Sequence, residues 1–160
     1  MTGCFHSTVL GAAMALMLPL AALAETQVVT HSVAGDFDDV RLDLESAIID
    51  RGLVIDYEAF VGEMLNRTAA DLGATEQVYL RAESLQFCSA QLSRKMMEAD
   101  PTNLGYCPHI VFAFERPGEA GTVHVGYRRL PETGSDANRA ALAEINALMD
   151  AIVRQAAGID

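Results

Sequence analysis

Along most of this chain apolar residues alternate with polar ones over short stretches, then recur every three or four positions over longer ones. Strands and helices should therefore take turns. Residues 27–33 (QVVTHSV) are rich in β-formers and predict a short strand. Gly35-Asp36 then opens a helix. Asp36 is a good N-cap and Asp39 stands where a capping-box acid would. Val40, Leu44, Ala47 and Ile48 recur at helical spacing, whereas Arg41, Asp43, Glu45 and Asp50 face away. Gly52 supplies the left-handed residue that ends such a helix. Residues 53–57 (LVIDY) predict a second strand. Residues 60–72 predict a second helix, with Met64, Leu65, Ala69 and Leu72 apolar and Gly73 as its stop.

The second half repeats the alternation. Residues 82–87 predict a strand and 89–99 a helix, which Asp100-Pro101 breaks. Residues 107–116 (CPHIVFAFER) form the strongest strand, β-branched and aromatic, with Pro108 at its start. A turn at 117–121 leads to a hairpin partner at 122–128. Ser135 caps a last helix, 135–157, whose stripe is Leu142, Ile145, Leu148, Met149, Ile152 and Val153. The order β-α-β-α-β-α-β-β-α predicts an α+β fold, an antiparallel or mixed sheet with helices packed on one face.

The first 24 residues break this pattern. They hold no Asp, Glu, Lys or Arg, and carry an apolar run from Val9 to Leu18, then Pro19 and Ala22-Leu23-Ala24. The run is shorter than the ~20 residues of a bilayer span, and the small-x-small ending is what a signal peptidase reads. We therefore expect a signal peptide at 1–24, cleaved after Ala24, and a periplasmic or secreted protein. Cys4 should leave with it. The remainder, 25–160, is expected to be a single α+β domain, large enough for its own core. All the charged residues lie in that part, so it carries the whole net charge of −11. Such an acidic surface argues against nucleic acid or a membrane surface as partner.

A family resemblance emerges at particular residues. The stretch Arg51-Gly52-Leu53-Val54-Ile55, the turn at Leu85-Gln86-Phe87-Cys88-Ser89, and the strand Cys107-Pro108-His109-Ile110-Val111-Phe112 resemble the family called domain of unknown function 302. Glu115 to Gly121 and Val125-Gly126-Tyr127 to Pro131 continue the likeness, which spans about 27–131. It implies a compact α+β domain that often pairs as a homodimer. No reaction is established for the family, so it carries over no functional residue. Cysteine replaces the Gly or Asn of the turn at 88 and the Leu before Pro108 at 107, two positions that the family fold would place close together.

Two cysteines remain after the leader, and an even count in an exported protein favours a disulfide between Cys88 and Cys107. Closing that ~19-residue loop is worth ~3 kcal/mol. Three alternatives stay open: a redox pair, a copper or zinc site using Cys88, Cys107 and His109 with Met96 or Met97 nearby, or two free thiols. There is no Cys-x-x-Cys. His31 is expected at the surface, and His109 and His124 as structural strand residues. Neither a nucleophile elbow, nor a phosphate loop, nor HExxH occurs, and Glu115 and Glu119 flank a turn without visible cause to converge. No catalytic residue is assigned. The expected function is an exported, non-enzymatic module binding a small ligand or a protein partner, with thiol-redox or soft-metal binding as the alternative.

Overall fold

The computed structural model describes residues 27–159, so the proposed leader lies outside the described residues. Five strands form one antiparallel sheet: β1 (Val28–Ala34), β2 (Ile55–Ala59), β3 (Arg81–Phe87), β4 (His109–Glu115) and β5 (Thr122–Arg128). Their order across the sheet is β1-β5-β4-β3-β2. The helices are α1 (Phe37–Ile49), α2 (Val61–Thr68), α3 (Ala90–Ala99) and α4 (Asp136–Ala156). Among the described residues no helix is long and apolar enough to cross a membrane.

Period-two alternation sorts each strand into two faces. Leu85, Phe87, Val111, Ala113, Val123 and Val125 point to one face and are buried beneath α1, α3 and α4. α4 docks on its own domain: Leu142, Ile145, Met149, Ile152 and Val153 have no exposure, and each contributes roughly 1.5–3 kcal/mol of burial. Helix starts follow the expected caps. The Asp36 side chain accepts from Asp38 N at 2.8 Å, and Ser135 Oγ accepts from Asn138 N at 3.2 Å. Gly52, at φ 71°, closes α1. The half-buried guanidinium of Arg41 meets Glu45, Glu58 at 2.5 Å and Glu83 at 3.2 Å, tying α1 to β2 and β3.

Three details differ from the sequence expectation. α2 stops at Thr68, whose hydroxyl donates back to the Met64 carbonyl at 2.8 Å, and Leu72 beyond it is 77% exposed with nothing to pack on. α2 lies against β3 because Gly62 has no side chain; a Cβ there would sit 2.7 Å from the Ala82 amide nitrogen. Asp100-Pro101 ends α3 but also starts a 3-10 helix, Pro101–Tyr106, with Asp100 accepting from Thr102 N at 2.9 Å. Within that turn the buried Asn103 donates to Met96 O at 2.7 Å and to Asn138 Oδ1 at 2.6 Å, locking the turn to α3 and α4. Finally, His31 is half-buried and shares the helix-side face with its cross-strand partner Val125.

Candidate functional site

At one end of the sheet the two cysteines meet. Cys88 follows β3 and Cys107 precedes β4, just beyond the Phe87–His109 pair that ends the ladder. They form a disulfide, with an S–S distance of 2.04 Å and Cα atoms 6.3 Å apart. The loop it closes contains α3 and the 3-10 helix, and Ser93 Oγ lies 3.8 Å from Cys107 Sγ.

His109 stands beside this bridge but points into the core, at 0% exposure. Its ring sits edge-on to Phe87 at 5.8 Å, and neither ring nitrogen has a partner in hydrogen-bonding geometry. Burial pushes its pKa down to about 4; the nearby Tyr106 backbone opposes this, and the Arg128 guanidinium adds to it. His109 is therefore a neutral imidazole at physiological pH. Among the described residues no three His, Cys, Asp or Glu side chains gather as a ligand set.

Among the described residues no long helix lies on the other face of the sheet, and there the residues that alternation turns outward form a second apolar group. Phe112 and Phe114 stack at 6.1 Å, and Tyr79 stands edge-on to Phe114 at 5.4 Å. With Ala82, Val28 and Val61 they line a shallow hollow of about 290 Å³. Gly126 makes room for it. A Cβ at Gly126 would fall 2.6 Å from Phe112 Cζ and 2.8 Å from Thr30 Cγ2, so the Phe112 ring lies across β5 where no side chain stands. Val28 and the nearby Tyr57, Phe60, Met64 and Val78 are large apolar side chains exposed to solvent.

Next to this hollow three polar side chains align. Register places Ser32 of β1 directly opposite His124 of β5, and Phe114 opposite the same histidine on its other side. Ser32 Oγ is 3.1 Å from His124 Nδ1, and His124 Nε2 is 2.8 Å from Glu119 Oε2. The Phe114 ring stacks on the imidazole at 4.7 Å. Glu119 comes from the 117–121 turn, where Gly118 and Gly121 take positive φ and fold the chain back. The bond from His124, with Arg116 Nε at 3.0 Å, holds the Glu119 carboxyl below its ordinary range. An ionised carboxylate only accepts, so the His124 proton belongs on Nε2 and Nδ1 is left to accept from the Ser32 hydroxyl.

The sequence singles out Cys88, Cys107 and His109, and the structure brings them to one end of the sheet. The sequence does not reveal Ser32, His124 and Glu119 as a group. The only signal for them is alternation, which puts Ser32, His124, Phe112 and Phe114 on outward positions but does not pair β1 with β5.

A family model described as "Domain of unknown function DUF302" matches residues 29–157, through α4 and past residue 131, where the resemblance in sequence ends. Among solved structures the chain is similar to the crystal structure of the uncharacterized conserved protein DUF302 from Bacillus stearothermophilus. Identity is 16%, the TM-score is 0.67, and the overlap covers 81% of this chain and 98% of that one. At that identity the likeness speaks to the fold. No curated protein matches.

Proposed function

The chain belongs to the DUF302 family, and from that premise we propose that it is an exported module that binds a small apolar or aromatic ligand on the open face of its sheet. The observation that carries this is the aromatic hollow over Phe112, Phe114 and Tyr79, lying on the face that the long helices leave uncovered. Export gives the Cys88–Cys107 bridge its oxidising surroundings.

The test uses a neutral solvatochromic dye, Nile red, because an anionic one would be repelled by the net charge of −11. Saturable, blue-shifted emission that Tyr79→Ala weakens and Ser84→Trp, in the wall of the hollow, abolishes supports the reading. Dye emission indifferent to both variants overturns it. Export is checked separately, by N-terminal sequencing of protein recovered from the periplasm, which should begin at Glu25.

A second reading keeps the bridge as a thiol couple, or as the reduced half of a copper or zinc site with His109. It is favoured by the two unpaired ring nitrogens of that buried imidazole, two residues from Cys107. Thiol counting with and without reductant, together with metal analysis of the reduced protein, decides it. Two titratable thiols without reductant, or near one metal per chain after reduction, favour it. A fully oxidised pair that reductant does not open in the folded protein, with no bound metal, refutes it.

A further inference from the structure

Ser32, His124 and Glu119 have the connectivity of a nucleophile, a base and an orienting carboxylate. We propose that they form an acyl-transfer site, with Ser32 and His124 as catalytic residues and Glu119 as the positioning residue, acting on small esters whose apolar group sits in the neighbouring aromatic hollow. The proposal goes beyond binding but rests on that reading for the seat of the substrate.

The geometry has a physical origin in the sheet. Gln27 O accepts from Arg129 N at 2.8 Å and Gly35 N donates to Gly121 O at 3.1 Å, so the odd-numbered residues of β1 hold the ladder to β5. Ser32 and His124 are then a non-hydrogen-bonded pair, the kind whose side chains approach most closely. By the same count the backbone N–H of Ser32 faces the outer edge of the sheet, where β1 has no strand beside it among the described residues. That leaves a donor beside the nucleophile itself, placed for an oxyanion. Ser32 is exposed, so an ester reaches it, while the His124 side chain is only 11% exposed beneath Phe114 stacking and cannot swing away freely. Phe114 both lines the hollow and stacks on the imidazole, so the hollow adjoins the relay through that ring, on the side of His124 away from the hydroxyl.

In the first step Ser32 Oγ bonds to the acyl carbon while its proton passes to His124 Nδ1, and Glu119 holds the resulting imidazolium through Nε2. The ester C–O bond breaks and the leaving alcohol takes that proton. Water then attacks the acyl carbon, gives a proton to Nδ1, and releases the carboxylic acid as the Ser32 hydroxyl re-forms.

The test applies a fluorophosphonate probe and p-nitrophenyl butyrate to the purified protein, with peptide mass mapping of the adduct. The expected result is an adduct on Ser32, absent in Ser32→Ala, and ester hydrolysis slowed about 100-fold or more in His124→Gln. Glu119→Gln should lower kcat about tenfold and leave KM unchanged, a split that loss of structure alone does not give. Ser32→Ala and His124→Gln must melt at the wild-type temperature; should His124→Gln unfold, His124→Asn takes its place. No adduct, an adduct elsewhere, or equal labelling in His124→Gln overturns the proposal. Nile red binding in the same samples separates the two readings. Dye bound without an adduct removes the relay and leaves the binding site. An adduct without dye binding leaves the relay and removes the seat.

Discussion

Lowering the pH should unfold this domain through His109 in a way that can be isolated. The imidazole is fully buried, its nitrogens are unpaired, and its pKa sits at about 4 instead of 6.5. Below 6.5 the unfolded chain takes up a proton that the folded chain refuses until about 4. The stability contributed by the neutral ring is therefore whole above 6.5 and is lost progressively as pH falls through that window. The gap between 6.5 and about 4 corresponds to ~3 kcal/mol, a large share of the 5–15 kcal/mol typical of a domain. Carboxylates also titrate on the way down, so the comparison is made against His109→Leu, in which they remain and the imidazole does not. Urea unfolding of both proteins at pH 7, 6, 5 and 4 gives two stability curves. They should diverge by ~3 kcal/mol toward pH 4, with the variant equal to or above wild type at pH 7 because two unpaired buried nitrogens are gone. Curves that stay parallel refute the burial argument.

Further perturbations test other parts of the fold. Replacing Cys88 and Cys107 together by serine should cost ~3 kcal/mol and lower Tm by roughly 10 °C, as closure of a loop of this length predicts; a wild-type Tm unmoved by reductant counts against a stabilising bridge. Arg41→Met strands Glu45, Glu58 and Glu83 around a lost cation, and should cost roughly 1–3 kcal/mol at pH 7 by denaturant titration; an unmoved midpoint would contradict this. Gly126→Ala drives a methyl into the Val29 carbonyl, Phe112 and Thr30, so β1 should loosen at a cost of about 3 kcal/mol; unchanged amide exchange along residues 28–34 would contradict this.

How much of the fold is legible in the sequence depends on how local each signal is. Asp36, Ser89 and Ser135 cap their helices through bonds to residues two or three positions on, and Gly52 closes α1 within one turn, so these can be read directly. The pattern overextends α2 because Leu72 continues the apolar spacing, yet no element comes near enough to bury it. The 3-10 turn escapes the pattern although Asp100-Pro101 is as good a start signal as a stop signal; its function is revealed by Asn103 reaching Asn138, thirty-five residues on. The cysteines are legible as a pair because their count and strand-end positions are sequence facts. Asp38, in the first turn of α1, meets Arg81 of β3 at 2.7 Å, a pairing that nothing local signals.

The open face is hidden for a different reason. Alternation shows that Thr30, Ser32, Phe112, Phe114, His124 and Gly126 share outward parity, but not which of them touch. That depends on β1 pairing with β5, strands more than eighty residues apart in sequence, in one register among several that the alternation allows. A slip of one residue would turn Ser32 toward the core. A slip of two would set it against Gly126, with Ala34 facing His124, or against Thr122, with Thr30 facing His124 in its place. Three features hold the observed register: Arg129 N on Gln27 O at one end, Gly35 N on Gly121 O at the other, and between them the Gly126 gap against which Val29, Phe112 and Thr30 pack. The Ser32–His124–Glu119 line therefore stands or falls with a single strand pairing, whereas the aromatic hollow takes only Val28 from β1. A change that shifts β1 without unfolding the core should abolish probe labelling and leave most of the dye binding.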